Sequence, residues 1–147
     1  MSQVVLALFV GLFTTFILDF FLFLGIYLHY IKPHEIAVYY NILFADNQNL
    51  VYYLLLTLFY AVSLIYIPSK TYRLSVVAFS MALSLFFLIP SISVANGKMI
   101  LMQEDVRIKD LHYVYKGDIY YNGRTKIYIY DTDVSKMLII NKKEIIE

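Results

Sequence analysis

From Val4 to Ile31 the chain runs for 28 residues with one charge, Asp19, and nothing that breaks a helix apart from the tolerable Gly11 and Gly25. At ~1.5 Å per residue such a helix is about 42 Å long, against a hydrocarbon core of ~30 Å. A helix that is apolar all round needs either a large protein core or lipid around it. A chain of 147 residues offers no core of that size. The expectation is an overlong membrane helix that tilts or protrudes, ended by Lys32-Pro33.

Two further runs support the same solvent. Leu50 to Ile67 carries no charge and is stopped by Pro68; Leu74 to about Val94 carries none either, with Pro90 expected to kink its last turn. Only residues 68–73 separate them, which predicts a tight antiparallel hairpin. Tyr52, Tyr53, Tyr66 and Tyr72 fall near the ends of these runs, where amphipathic rings favour the headgroup zone. Glu35 to Phe44 is too short to span and reads as a helix lying at the interface. Ala45 to Asn49 then reads as a loop, with Asn49 as N-cap of the second span.

The charges divide the chain in two. Up to Asn96 the ionic residues are Asp19, Lys32, Glu35, Asp46, Lys70 and Arg73; from Gly97 onward there are nine Lys/Arg and eight Asp/Glu. Overall 61% of residues are hydrophobic and 16% charged, both shifted in the membrane direction from ~45–50% and ~25% in soluble domains. We therefore expect a membrane domain over 1–96 and a small extramembrane domain over 97–147.

In that second domain the hydrophobic period changes. Leu111 to Tyr115, Ile119 to Tyr121, Thr125 to Asp131 and Met137 to Ile140 are β-prone runs. Turn signals separate them at Lys116-Gly117-Asp118, Asn122-Gly123 and Asp131-Thr132-Asp133. Asn-Gly is the strongest of these, because a type I′ turn needs positive φ at both central positions. With Met99 to Gln103 and Val106 to Lys109 as further strands, the expectation is an antiparallel β-meander of four to six strands. It would close into a small SH3-like barrel, or lean on the membrane or a partner. The predicted fold class is an α-helical membrane protein with three transmembrane helices followed by this domain.

Net charge of +1 gives no electrostatic footprint for nucleic acid, and the lack of cysteine removes thiol chemistry and disulfides. The first ten residues lack the basic region and small-residue cleavage site of a signal peptide, so the first helix is expected to be retained. Lys70 and Arg73 in the second loop outnumber Lys32 in the first, which favours a cytoplasmic N-terminus. The β-rich domain would then face the periplasmic side of a bacterial inner membrane. Lys98, Arg107 and Lys109 pull the other way.

Asp19 is the residue that most needs a reason, since an ionised carboxylate at mid-membrane costs ~2.5–3.5 kcal/mol. It can be hydrogen-bonded within the bundle, with Thr15 one turn before it; it can pair with a cation on another subunit; or it can serve in a proton relay. Small residues four apart, Thr57/Ala61 on the second span and Ala78/Ala82 and Ser80/Ser84 on the third, suit close packing of the two helices of that hairpin, or dimerisation through the same rows. His29, His34 and Glu35 cluster at the end of the first span, but five residues and Lys32-Pro33 separate the two histidines, so anchoring outweighs metal binding. His112 stands alone in a strand. Asp131, Asp133, Asp118 and Glu144 are among the domain's scattered carboxylates, and Asp131-Thr132-Asp133 lacks the glycine and distal glutamate of a calcium loop. It reads as a turn capped by its own Asp side chains. Tyr120, Tyr121, Tyr128 and Tyr130 form aromatic strand faces suited to docking a protein partner.

No catalytic constellation, P-loop or HExxH is present. The expected function is therefore an accessory or scaffolding subunit of a membrane assembly, not an enzyme. It would work with the lipid bilayer, other membrane subunits and a possible oligomer as partners, without nucleic acid, cofactor or metal. The alternative is a small ion- or proton-coupled transport component in which Asp19 titrates within an oligomer.

Overall fold

A computed structural model describes residues 2–110 and 113–145. Helix α1 runs Gln3–Ile26 and continues through a wider π turn at Tyr27–Ile31. Ser2 caps its start by accepting from the Val5 N–H. This continuous helix is long and apolar enough to cross a membrane.

The later apolar stretches are not straight. Helix α2 (Tyr40–Asn47) meets α3 (Leu50–Ala61, continuing to Tyr66) at a bend of 86°, and α4 (Lys70–Phe86) meets α5 (Pro90–Leu101) at 84°. Each bent pair reaches spanning length and hydropathy when taken together. Asn49 caps α3 as expected, accepting from Val51 and Tyr52 N–H at 3.1 and 3.3 Å. Pro90 does not kink one helix. It is the first residue of a new one, where its missing N–H leaves no bond unmade.

α1 has two different halves. Nine large apolar side chains between Val4 and Ile17 are exposed, whereas between Leu18 and Ile31 only Leu28 is. The first half packs most extensively against α3 and, less so, α4. Gly11 makes this contact possible: a Cβ there would collide with the Thr57 carbonyl oxygen and lie 2.9 Å from Ala61 N. The second half is wrapped by α2, α5 and the sheet. Phe23, Ile26, Tyr30 and Ile31 share a core with Ile36, Leu43, Leu101, Tyr121 and Tyr128.

α5 carries the chain through Asn96-Gly97 as far as Leu101, so Met99 to Leu101 are helical and the first strand starts at Gln103. The strands are β1 (Gln103–Lys109), β2 (Val114–Asn122), β3 (Lys126–Asp131) and β4 (Lys136–Asn141). They form an antiparallel meander in the order β1-β2-β3-β4. This sheet is open; one isolated bridge, Asp110 to Ile145, brings the C-terminal end towards the β1 side. Leu111 and His112, part of an expected strand, lie outside the described residues.

Two turn expectations change. Lys116-Gly117-Asp118 lies inside β2, where Gly117 pairs with Asp131 and its missing side chain leaves room for the Tyr130 carbonyl. The Asn122-Gly123 hairpin exists, but no glycine has positive φ, so the turn is not type I′. Gly123 N–H instead donates to the Lys126 carbonyl at 3.0 Å across a wider loop. The turn after Asp131 follows expectation: its carboxylate accepts from Asp133 and Val134 N–H at 2.9 and 3.1 Å.

A bulge in β2 gives the sheet two buried faces. Ile119 pairs with Ile129, but Tyr121 pairs with Tyr128, so an extra residue falls between. Ile108, Ile119, Ile127, Ile129 and Ile140 cluster together, while Tyr121 and Tyr128 join the helical core.

Candidate functional site

Asp19 projects from α1 into a cavity of about 410 Å³ lined also by Leu22, Phe23, Asn47, Gln48, Asn49, Tyr52, Tyr53, Leu56, Met99 and Ile100. The bend between α2 and α3 creates it, because the chain turns away from α1 at Gln48 and Asn49. Asp19 is thus level with the first turn of α3, rather than with its middle. Two ion pairs form among the described residues and neither includes Asp19. No lysine, arginine or histidine lines the cavity.

Thr15 does not serve Asp19. It is fully buried against α3, where the Thr57 hydroxyl donates to it at 3.4 Å. Thr57 and Ala61 therefore pack on α1, not on the neighbouring helix of a hairpin. Ser80 and Ser84 are buried too: Ser80 bonds the Tyr60 hydroxyl at 3.1 Å, and Ser84 donates to the Ser80 carbonyl at 2.9 Å. Ala78 and Ala82 are exposed on α4. Ala82 lines a shallow hollow of about 280 Å³ with Phe79, Leu83 and Phe86.

The tyrosines singled out as docking groups mostly serve the chain itself. Tyr121 and Tyr128 are buried, and Tyr120 is half-buried. Tyr30 OH donates to the Tyr120 carbonyl at 3.0 Å, and Ala37 N–H donates to the Tyr128 hydroxyl at 3.2 Å. Tyr130 remains exposed. His34 belongs to this junction as well. Its Nδ1 donates to the Tyr30 carbonyl at 2.6 Å, and its ring packs 4.6 Å from Tyr120. Among the described residues no three His, Asp or Glu side chains are grouped to hold a metal.

The junction is closed by a bidentate pair. Arg124 in the β2–β3 loop donates to both Asp46 oxygens, at 2.6 and 2.7 Å. Hydrogen bonding from that guanidinium holds the Asp46 carboxyl below the usual carboxylate range. A carboxyl whose folded pKa is lowered stabilises the fold above its unfolded value of about 3.9 and loses that contribution as pH falls through the folded value. We expect a small drop in thermal midpoint between pH 6 and pH 3 that Arg124→Ala reduces. An identical pH profile in the two proteins would show that the pair contributes nothing.

Sequence reasoning missed Gly11 as a packing position, although Gly11 and Thr15 repeat the four-residue spacing noted on the other helices. It also missed the Arg124–Asp46 pair, which joins residues 78 apart and has no local signature.

The architecture is a helical region with one apolar helix of spanning length, followed by a four-stranded antiparallel sheet. Compared with protein-family models, curated proteins and solved structures, the chain matches none.

Proposed function

We propose that this chain is an accessory or scaffolding subunit of a larger membrane assembly, crossing the bilayer three times through α1, α3 and α4. In this reading the apolar layer holds the first half of α1 with α3 and its continuation to Tyr66, about 25 Å for 17 residues. The bends then lay α2 and α5 along the interface. The excess length of α1 becomes the core helix of the sheet domain. Lys70 and Arg73 between α3 and α4 support a cytoplasmic N-terminus and a periplasmic sheet in a bacterial inner membrane.

The exposed Ala78/Ala82 row carries the subunit reading. The other small rows are filled within the chain, while this one lies open beside Phe79 and Phe86. Small residues at this spacing let a second backbone approach, which is how helices associate in lipid. The competing reading, a titrating Asp19 in an oligomeric transport path, draws less support. The next hydroxyls inward, Thr15 and Thr57, are bonded to each other.

Native mass measurement after mild detergent extraction tests the proposal. The expected species is heavier than the 17.2 kDa chain. Combined Ala78→Leu and Ala82→Leu should return it to a single chain with helical content unchanged. A lone chain in the unaltered protein would refute the subunit reading.

A further inference from the structure

We propose that the Asp19 cavity is a lipid-headgroup site that takes the ammonium of a zwitterionic phospholipid. This rests on the membrane placement given above, and it goes beyond the subunit reading. The first argument is charge. An ionised carboxylate beside apolar helices is stabilised by a counter-cation, and no cationic side chain lines this cavity. Arg124, the cation on the neighbouring hairpin, is already held by Asp46 through two hydrogen bonds.

The second argument is the lining. Tyr52 and Tyr53 line the same cavity as the carboxylate, and aromatic rings favour an organic cation. Asn47, Gln48 and Asn49 make one wall polar; Asn47 donates to the Leu43 carbonyl at 2.8 Å and the Asn49 oxygen caps α3, which leaves the Gln48 amide and the Asn49 N–H groups as donors to phosphate and glycerol oxygens. Leu22, Phe23 and Leu56 supply apolar wall for the carbons that follow. The volume, about 410 Å³, is within the ~300–1,000 Å³ usual for small-molecule pockets.

The third argument decides the source of the cation. Tyr52 is 68% exposed and Met99 77%, and Leu50 and Val51 beside them are also open. A mouth rimmed by exposed apolar side chains faces lipid, so the ligand arrives from the bilayer. Asp19, level with the first turn of α3, stands near the edge of the apolar layer, where headgroups lie.

Native mass spectrometry of the full chain in mild detergent, titrated with phosphatidylethanolamine or phosphatidylglycerol, tests this. The two lipids differ in the ammonium. A preference of about tenfold or more for phosphatidylethanolamine is expected, the order that one charge-assisted contact supplies. Asp19→Asn, nearly isosteric, should abolish the preference while leaving the thermal midpoint close to the original. Should that variant fail to fold, Met99→Trp keeps the carboxylate and narrows the mouth, and should cut retention of phosphatidylethanolamine. Equal retention of the two lipids, or a preference unchanged by both variants, overturns the proposal. Displacement by millimolar free ethanolamine as effectively as by lipid would overturn the lipid assignment in favour of a soluble ammonium. The same spectra separate the two readings: a lone chain that selects phosphatidylethanolamine refutes the subunit and retains the site.

Discussion

Gly11→Leu will unseat α3 from α1 and destabilise the helical region by about 3 kcal/mol, the upper end for overpacking a close contact. The Gly11 Cα faces the backbone of Thr57 and Ala61, so an added side chain meets a carbonyl oxygen and an amide. Backbone atoms cannot rotate away as a side chain would. The helices must separate, which also parts Thr57 from Thr15 and opens the buried faces of Ala7 and Ala61. The check is thermal unfolding in detergent beside Leu12→Ala, an exposed neighbour that should change little. If Gly11→Leu unfolds no earlier than Leu12→Ala, the α1–α3 contact does not stabilise the protein.

The second large effect is expected at Tyr30. Its side chain is fully buried between α1, α5 and the sheet, and Gly97 of α5 comes so close that a Cβ there would lie 2.5 Å from the Tyr30 ring. Tyr30→Ala should cost about 3–5 kcal/mol, as for other buried aromatic truncations. Tyr30→Phe keeps the ring and removes the bond to the Tyr120 carbonyl, for about 1 kcal/mol. Because Tyr30 joins the helices to the sheet, truncation should also expose the segment at Met102 and Gln103. Limited proteolysis reads this directly. Cleavage there should be faster in Tyr30→Ala than in Tyr30→Phe, and equal rates would mean that the two regions are held by other contacts.

Both residues show where local reading of the sequence stops. Gly11 is tolerable within a helix, and nothing nearby says which helix will touch it. Thr57 and Ala61 read as a row for close packing within the hairpin of the second and third spans, which only residues 68–73 separate. The structure inserts α1 instead. Likewise Asp19 reads as mid-membrane when α1 is measured alone, because the apolar run continues past it to Ile31 without another charge. Only packing distinguishes them: one half is exposed and the other covered by α2, α5 and the sheet. Of the tyrosines that read as a docking face, Tyr121 and Tyr128 pack into the chain's own helical core, while Tyr130 stays exposed.

The long apolar run followed by a β-rich, charged tail was determined by sequence alone, because solvent preference and hydrophobic period are local properties summed along the chain. The cap at Asn49, the end of α1 at Lys32-Pro33 and the turn at Asp131 belong to the same class, each fixed by the residue's own backbone chemistry. Tertiary structure decided the bends at Gln48-Asn49 and before Pro90, the bulge that turns Tyr121 onto the helices, and the partners of Gly11, Thr57 and Ala61. These depend on which surfaces meet, and surfaces far apart in sequence are brought together by burial, which has no direction along the chain. The first helix is therefore overlong for a reason its own residues do not state. Half of it holds the sheet.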